Sequence, residues 1–293
     1  MRVAYLGPAG TFSEDAVRTS GFAPEDFEAV PCSTISEVVK AIGTDRADRA
    51  MAPIENSIEG SVRHTVDGLI AEADSVTIVG EYVHEVRSAL ITARPLRLDQ
   101  ITAVSSHPQP LAQCSRFLRE ELPEAELRFA DSTSAAVREV SEGGNGLAAL
   151  GPASAAGIYG CTVLREGIED EPGNLTRFVW LAPVGTNPVL MANAGESAEV
   201  GARSAPGWKT AVVFSELGED HPGSLVEALL EFSRRQINLV RIESRPQRRR
   251  LGRYLFFIDI EGRETDPGVS EALDGLRSKA GTVRVLGSYP AAR

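Results

Sequence analysis

Lysine is nearly absent from this chain. Of its 30 basic residues only Lys40, Lys209 and Lys279 are lysines, and none lies in a glycine-rich loop. That excludes a P-loop and argues against Schiff-base or pyridoxal chemistry. Cysteine is equally sparse: Cys32, Cys114 and Cys161 are odd in number and far apart. Such spacing suits neither a disulfide framework nor a zinc site, and fits reduced thiols in a cytoplasmic protein. The four histidines, His64, His84, His107 and His221, show no HxH or HxxxH spacing for a metal, and no GxGxxG occurs. No apolar run approaches membrane-spanning length, and Met1–Gly7 reaches a turn too soon for a secretory leader. The expectation is cytoplasmic, cofactor-free and metal-free chemistry without a membrane partner.

What is present is ordinary for a folded protein, with 42% hydrophobic and 24% charged residues over 293 positions, enough for two domains. The net charge of −11 is uneven. Residues 209–293 carry 14 Lys+Arg against 12 Asp+Glu, leaving 16 against 29 for the rest, a balance of −13. Such a body repels nucleic acid, so no nucleic-acid partner is expected.

From Arg2 to Pro183 short apolar runs alternate with helical patterns. Val3–Leu6, Ala50–Ile54, Ile101–Ser105, Leu127–Ala130, Leu147–Leu150 and Phe178–Leu181 predict strands. Ile35–Ile42, Leu111–Leu122 and Ala135–Ser141 predict helices. Thr11-Phe12-Ser13-Glu14 and Thr34-Ile35-Ser36-Glu37 are capping-box signatures. This rhythm predicts an α/β body over residues 1–185. Pro188–Pro206 lacks periodicity and predicts a linker over 186–207. The remainder, 208–290, predicts βαββαβ. Its helix faces are Leu225, Ala228, Leu229, Phe232 and Val269, Ala272, Leu273, Leu276, the pattern of a ferredoxin-like α+β module. Arg245, Arg248, Arg249, Arg250 and Arg253 read as a solvated turn.

Polar turns follow the apolar runs of the body: Gly7-Pro8-Ala9-Gly10-Thr11-Phe12-Ser13, Glu55-Asn56-Ser57, Ser106-His107-Pro108-Gln109-Pro110 and Asp131-Ser132-Thr133-Ser134. Ligands of open α/β sheets sit at the carboxyl ends of strands, where helix N-termini offer N–H groups to anions. Four hydroxyl-rich turns on one edge suit a small polyanion, although Ser, Thr and Asp are also ordinary N-caps. Asn174-Leu175-Thr176-Arg177-Phe178 adds a hydroxyl and a guanidinium at a loop-to-strand junction. Strand alternation sends Thr176 and Phe178 to one face and Arg177 to the other, unless the strand begins after Arg177.

These segments, in this order and spacing, resemble the prephenate dehydratase family. Asn238 through Ile242-Glu243-Ser244-Arg245-Pro246 is similar to the ESRP segment of its ACT regulatory domain. The resemblance covers the chain apart from the linker. It implies a free-standing enzyme whose body is a two-lobed, type II periplasmic-binding-protein-like catalytic domain with the site in a cleft, followed by an ACT domain. It implies loss of CO2 and water from prephenate to give phenylpyruvate, and control by L-phenylalanine. Homodimers or homotetramers through the ACT and catalytic domains are expected.

By the same resemblance the catalytic positions are Thr176, Glu55, Asn56, Ser106 and Gln113. Thr176 acts on the leaving hydroxyl as a polarised donor, or Glu55 is the proton source if buried. Thr11, Ser132, Thr133 and Arg177 are candidate carboxylate ligands. Gly223, Ser224, Leu225, Asn238, Glu243, Ser244 and Arg245 are the candidate phenylalanine positions. Gly223-Ser224-Leu225 departs from the Gly-Ala-Leu frequent in the family, which leaves the effector's identity and sign open. Two other readings stand beside this one: action on arogenate, and a non-catalytic amino-acid sensor.

Overall fold

The computed structural model describes residues 1–143, 145–188, 207–218, 222–247 and 253–292. The linker expected over 186–207 lies outside the described residues from 189 to 206, as do Arg248, Arg249 and Arg250. In chain order the body comprises β1 (Arg2–Leu6), α1 (Phe12–Thr19), β2 (Glu28–Cys32), α2 (Ile35–Gly43), β3 (Arg49–Asn56), β4 (Gly60–Ser61), α3 (Arg63–Ala71) and β5 (Val76–Glu85). There follow β6 (Ala89–Thr92), β7 (Ala103–Ser106), α4 (Pro108–Gln113), α5 (Ser115–Glu121), β8 (Glu126–Phe129), α6 (Thr133–Ser141), β9 (Leu147–Gly151), α7 (Ala153–Tyr159), β10 (Thr162–Glu166) and β11 (Leu175–Pro183). The C-terminal module comprises β12 (Trp208–Ser215), α8 (Ser224–Ser233), β13 (Leu239–Pro246), β14 (Tyr254–Glu261), α9 (Pro267–Arg277) and β15 (Thr282–Pro290).

Three sheets result. The first has the order β2-β1-β3-β11-β5, with β4 on β3; the second is β10-β6-β9-β7-β8; the third is β13-β14-β12-β15. In the second sheet β7 runs parallel to β8 and β9, whereas β6 pairs antiparallel with β9 and β10. Its two faces are read by simple alternation. Leu90, Val104, Ala148 and Leu150 pack with Leu111, Cys114 and Leu118, while Ile91, Ala103, Leu147 and Ala149 pack with Ala136, Val137 and Ala156. Helices cover both faces, so β6, β7 and β9 are buried throughout. Burial also pushes the Cys114 thiol up to about 12, which leaves it an inert core residue.

The third sheet is antiparallel throughout. Its core joins Val212, Phe214, Ile258 and Ile260 to Ala228 and Phe232 of α8, and to Val269, Ala272, Leu273 and Leu276 of α9. By contacts the chain separates into two units, Met1–Val38, Met51–Val62 and Val83–Phe178 in one, and Val39–Ala50, Arg63–Tyr82 and Val179–Arg293 in the other.

Two local expectations are corrected. The single helix expected over Leu111–Leu122 breaks at Cys114, where φ is −112° and ψ is 21°. Asp170 stabilises the break: its carboxylate accepts from Arg116 N at 2.9 Å and Ser115 Oγ at 2.8 Å, and its own N–H donates to Gln113 O at 2.7 Å. The strands β2, β4, β5, β6 and β10 have no counterpart among the expected strands; in β5, buried Glu81 and His84 interrupt the apolar pattern. Their partners are remote in sequence. Lys209 Nζ meets Glu81 Oε1 at 2.7 Å, and His84 Nε2 meets Asp15 Oδ2 at 3.2 Å.

Within the second unit β15 lies backbone to backbone against β5. Thr77 Oγ1 donates to Leu286 O at 3.1 Å. Gly287, at φ +153°, leaves no room for a side chain: an added Cβ would collide with Ile78 O and stand 2.8 Å from Ile78 N. Main-chain atoms cannot swing aside, so Gly287→Ala is expected to destabilise by on the order of 1–3 kcal/mol. Chemical denaturation checks this; an unchanged midpoint would show that the two strands separate freely.

Candidate functional site

Strand β3 ends at Asn56 with its side chains alternating, so Ile54 and Asn56 are buried while Glu55 is only half-buried. Strand β11 does the same: Thr176 and Phe178 are buried and Arg177 is not fully so. The two outward residues pair, with Arg177 Nε and Nη2 each 3.1 Å from Glu55 Oε2. The Glu55 side chain is 44% exposed, so this pair contributes at most about 1 kcal/mol.

The inward residues face a pocket of about 420 Å³. Its lining includes Leu6, Thr11, Phe12, Ser13, Asn56, Val86, His107, Gln113, Asp131, Ser132, Thr133, Asn174, Thr176 and Phe178. No lysine or arginine is among the described residues that line it. Favourable potential for an anion comes instead from the first turns of α1 and α6, whose residues Phe12, Ser13 and Thr133 border the space.

Both helix starts are built by their sequences. Thr11 caps α1 by accepting from Glu14 N at 3.4 Å, and the Glu14 carboxylate reaches back to Gly10 N at 2.7 Å. The Thr11 hydroxyl proton is spent on Leu6 O at 2.9 Å, so Thr11 offers no hydroxyl donor to a ligand. Ser132 differs: its Oγ accepts from Ala135 N at 3.0 Å and keeps its proton for the pocket. Tyr159 Oη (2.8 Å) and Ser134 Oγ both donate to Ala9 O, pinning the Gly7–Gly10 turn.

At the centre is a group of amides. Asn56 Oδ1 accepts from Ile58 N at 3.0 Å and Glu59 N at 2.9 Å. Its Nδ2 therefore points the other way, donating to Asn174 Oδ1 at 2.7 Å and Thr176 Oγ1 at 2.9 Å. Thr176 thus accepts from Asn56 and has its own proton to donate. Gln113 Oε1 lies 3.5 Å from Asn174 Nδ2, while its Nε2 is buried without a partner.

The structure brings Thr176, Asn56, Gln113, Thr11, Ser132 and Thr133 to one pocket. Ser106, Glu55 and Arg177 are absent from its lining. Ser106 is fully buried and donates from Oγ to Leu150 O at 2.8 Å, tying β7 to β9. Glu55 and Arg177 are turned away by alternation. Asn174 and Asp131, which lie in the polar segments of the sequence but are not among the candidate site residues, also border the pocket; the position of Asn174 two residues before Thr176 is the available signal. His107 serves structure, as N-cap of α4, although the residue also borders the pocket.

In the second unit, Gly223 at φ +101° precedes α8, whose first residues are Ser224 and Leu225. Asn238 O accepts from Glu261 N at 3.0 Å, and Glu243, Ser244 and Arg245 lie in β13. Arg245 is not a solvated turn residue. Its Nη2 bonds both Asp67 carboxylate oxygens, at 2.9 and 2.8 Å, and so joins β13 to α3.

Comparison with known proteins identifies the family. The prephenate dehydratase family profile matches residues 3–185 and the ACT domain profile residues 213–278. A prephenate dehydratase of Mycobacterium sp. (strain JLS) is 39% identical over 298 residues, covering 99% of this chain and 89% of that protein. The crystal structure of a prephenate dehydratase from Arthrobacter aurescens in complex with L-Phe superposes with a TM-score of 0.83 at 36% identity, covering 99% of this chain and 90% of that one. A quorum-quenching acylase, GqqA, also superposes with a TM-score of 0.83, at 27% identity, covering 100% of this chain and 98% of its own.

The Asp15–His84 contact ties α1 to β5, and the His84 ring stands edge-on to Phe178 at 6.2 Å. Burial pushes the Asp15 carboxyl up, but hydrogen bonds from His84 and Ser154 outweigh it and hold the group below the usual range. A depressed folded-state value adds stability above the unfolded value of about 3.9 and loses it as pH falls through the folded value. Asp15→Asn is therefore expected to lower the unfolding free energy at pH 7 and to converge on the parent only as pH falls below the depressed folded-state value. Urea titrations across pH measure this, and a gap that persists in acid would remove the charge from the explanation.

Proposed function

The chain belongs to the prephenate dehydratase family, and from that premise we propose that it converts prephenate to phenylpyruvate, carbon dioxide and water. Catalysis is assigned to residues 1–185 and regulation by L-phenylalanine to residues 208–290, joined by 186–207. One observation carries the mechanism: Asn56 Nδ2 donates to Thr176 Oγ1 at 2.9 Å, which leaves the threonine hydroxyl as a donor to the pocket.

The reaction breaks two bonds. The ring C–O bond opens as the departing hydroxyl takes a proton, relayed from solvent through Thr176 Oγ1, and leaves as water. The bond to the ring carboxylate opens to release CO2, and its electron pair completes the aromatic ring. Aromatisation supplies the driving force, so what remains for the protein is to place donors where negative charge develops on oxygen. Thr176 donates to the leaving hydroxyl, its oxygen polarised by Asn56. Gln113 Nε2 and Ser132 Oγ donate to substrate oxygens, and the first turns of α1 and α6 hold the carboxylates. Phe178, Val86 and Leu6 supply the apolar wall against the ring. Glu55 supports this arrangement from the opposite strand face, through Arg177.

An acylase reading would ask for a nucleophile activated by a base. His107 Nδ1 accepts from Gln109 N at 3.4 Å, and no hydroxyl–imidazole pair borders the pocket among the described residues. The dehydratase reading is therefore preferred.

The exposed edge strand β13 is assigned to subunit pairing in a homo-oligomer, with Val240 and Ile242 more than 40% exposed. A cytoplasmic location is part of the same proposal, supported by the spacing of the three cysteines and the metabolic role.

Purified protein incubated with prephenate is expected to form phenylpyruvate well above the uncatalysed rate, in a manner altered by L-phenylalanine. Absence of turnover with both prephenate and arogenate would end the reading. Thr176→Val keeps the shape and removes the donor; kcat is expected to fall by about 10²–10³-fold with little change in thermal midpoint, the scale for losing one preorganised donor. Near-normal turnover would take the role from Thr176.

A further inference from the structure

We propose that Asn174 is a positioning residue that fixes which end of the Gln113 carboxamide faces the pocket; this deepens the dehydratase reading and rests on it for its kinetic test. An amide side chain has two ends of similar shape and opposite hydrogen-bonding character. Nothing about a glutamine by itself decides whether a ligand meets its N–H2 or its C=O. Here the choice is made at a distance.

The polarity starts in the backbone. Ile58 N and Glu59 N both donate to Asn56 Oδ1, so reversing Asn56 would strand two N–H groups. Asn56 Nδ2 must then meet an acceptor, and at 2.7 Å Asn174 can present only Oδ1. That orientation turns Asn174 Nδ2 toward Gln113, which answers with Oε1 at 3.5 Å. The remaining end, Gln113 Nε2, is buried without a partner and belongs to a side chain that lines the pocket. Asn174 itself is held in place, since it is 4% exposed and its carbonyl accepts from Val86 N at 2.8 Å. Three residues from three separate segments thus hand one polarity from a turn to the pocket.

Asn174→Asp tests the idea with almost no change in shape. The new carboxylate still accepts from Asn56, which preserves the Thr176 contact, but it cannot donate to Gln113. Gln113 would turn its N–H2 toward position 174 and face the pocket with an acceptor. In the full-length protein N174D is expected to lower kcat/KM for prephenate about 30-fold or more, whereas the same change in a Gln113→Leu background costs less than about threefold. Equal costs in both backgrounds, or parental kinetics for folded N174D, would overturn the proposal. If N174D does not fold, Asn174→Ser takes its place in the cycle, since a hydroxyl is too short to reach both neighbours.

A second readout is independent of activity. At atomic resolution the hydrogens on Gln113 distinguish its two ends. They are expected toward the pocket in the parent and toward position 174 in N174D; an oxygen toward the pocket in the parent would overturn the proposal even if turnover were normal. An inactive parent with the expected hydrogens would instead sink the dehydratase reading and leave the amide orientation standing.

Discussion

Much of this site depends on where two backbone N–H groups send their protons. Ile58 and Glu59 donate to Asn56 Oδ1, and that capture converts a symmetric-looking amide into a directional one. An Asx-type turn of this kind is ordinary local chemistry. Placed at the end of β3, beside the start of β11, it determines that Thr176 is an acceptor within the protein and a donor outward. Buried polar groups are costly unless satisfied, so the few that remain unsatisfied carry information. Gln113 Nε2 is one of these, and it borders the same pocket.

The scaffold serves the site by alternation. Each of β3 and β11 sends one residue inward to the pocket and its neighbour outward to an ion pair, so Glu55–Arg177 and Asn56–Thr176 are two faces of one strand pairing. The hydroxyl-rich turns then contribute unequally. Thr11 has its proton engaged by Leu6 O, whereas Ser132 has not, although both are N-caps by sequence. The distinction lies in the neighbouring carbonyl and cannot be seen in residue type.

Much of this is legible in the sequence. The βαββαβ module, the capping of α1 and α2, and the split of Thr176 from Arg177 follow from periodicity and local rules. Part of what is illegible depends on partners remote in the chain. β5 is hidden because Glu81 and His84 look like loop residues until Lys209 and Asp15 meet them. The break between α4 and α5 depends on Asp170. The Ser106 hydroxyl looks available until Leu150 O takes its proton. Arg245 looks solvated in a basic stretch, yet Asp67, 178 residues earlier, receives it.

That no lysine or arginine lines the pocket among the described residues has a kinetic consequence. A chain of net charge −11 repels an incoming dianion at long range, while the attraction of helix N-termini fades beyond their first turn. Encounter is therefore hindered outside and favoured only at the mouth. Added salt shortens the reach of the repulsion to about 8–10 Å near physiological ionic strength. Substrate capture should then quicken with moderate salt, the reverse of what arginine-lined anion sites do, and the enzyme would work best in the ionic conditions of a cell rather than in dilute buffer.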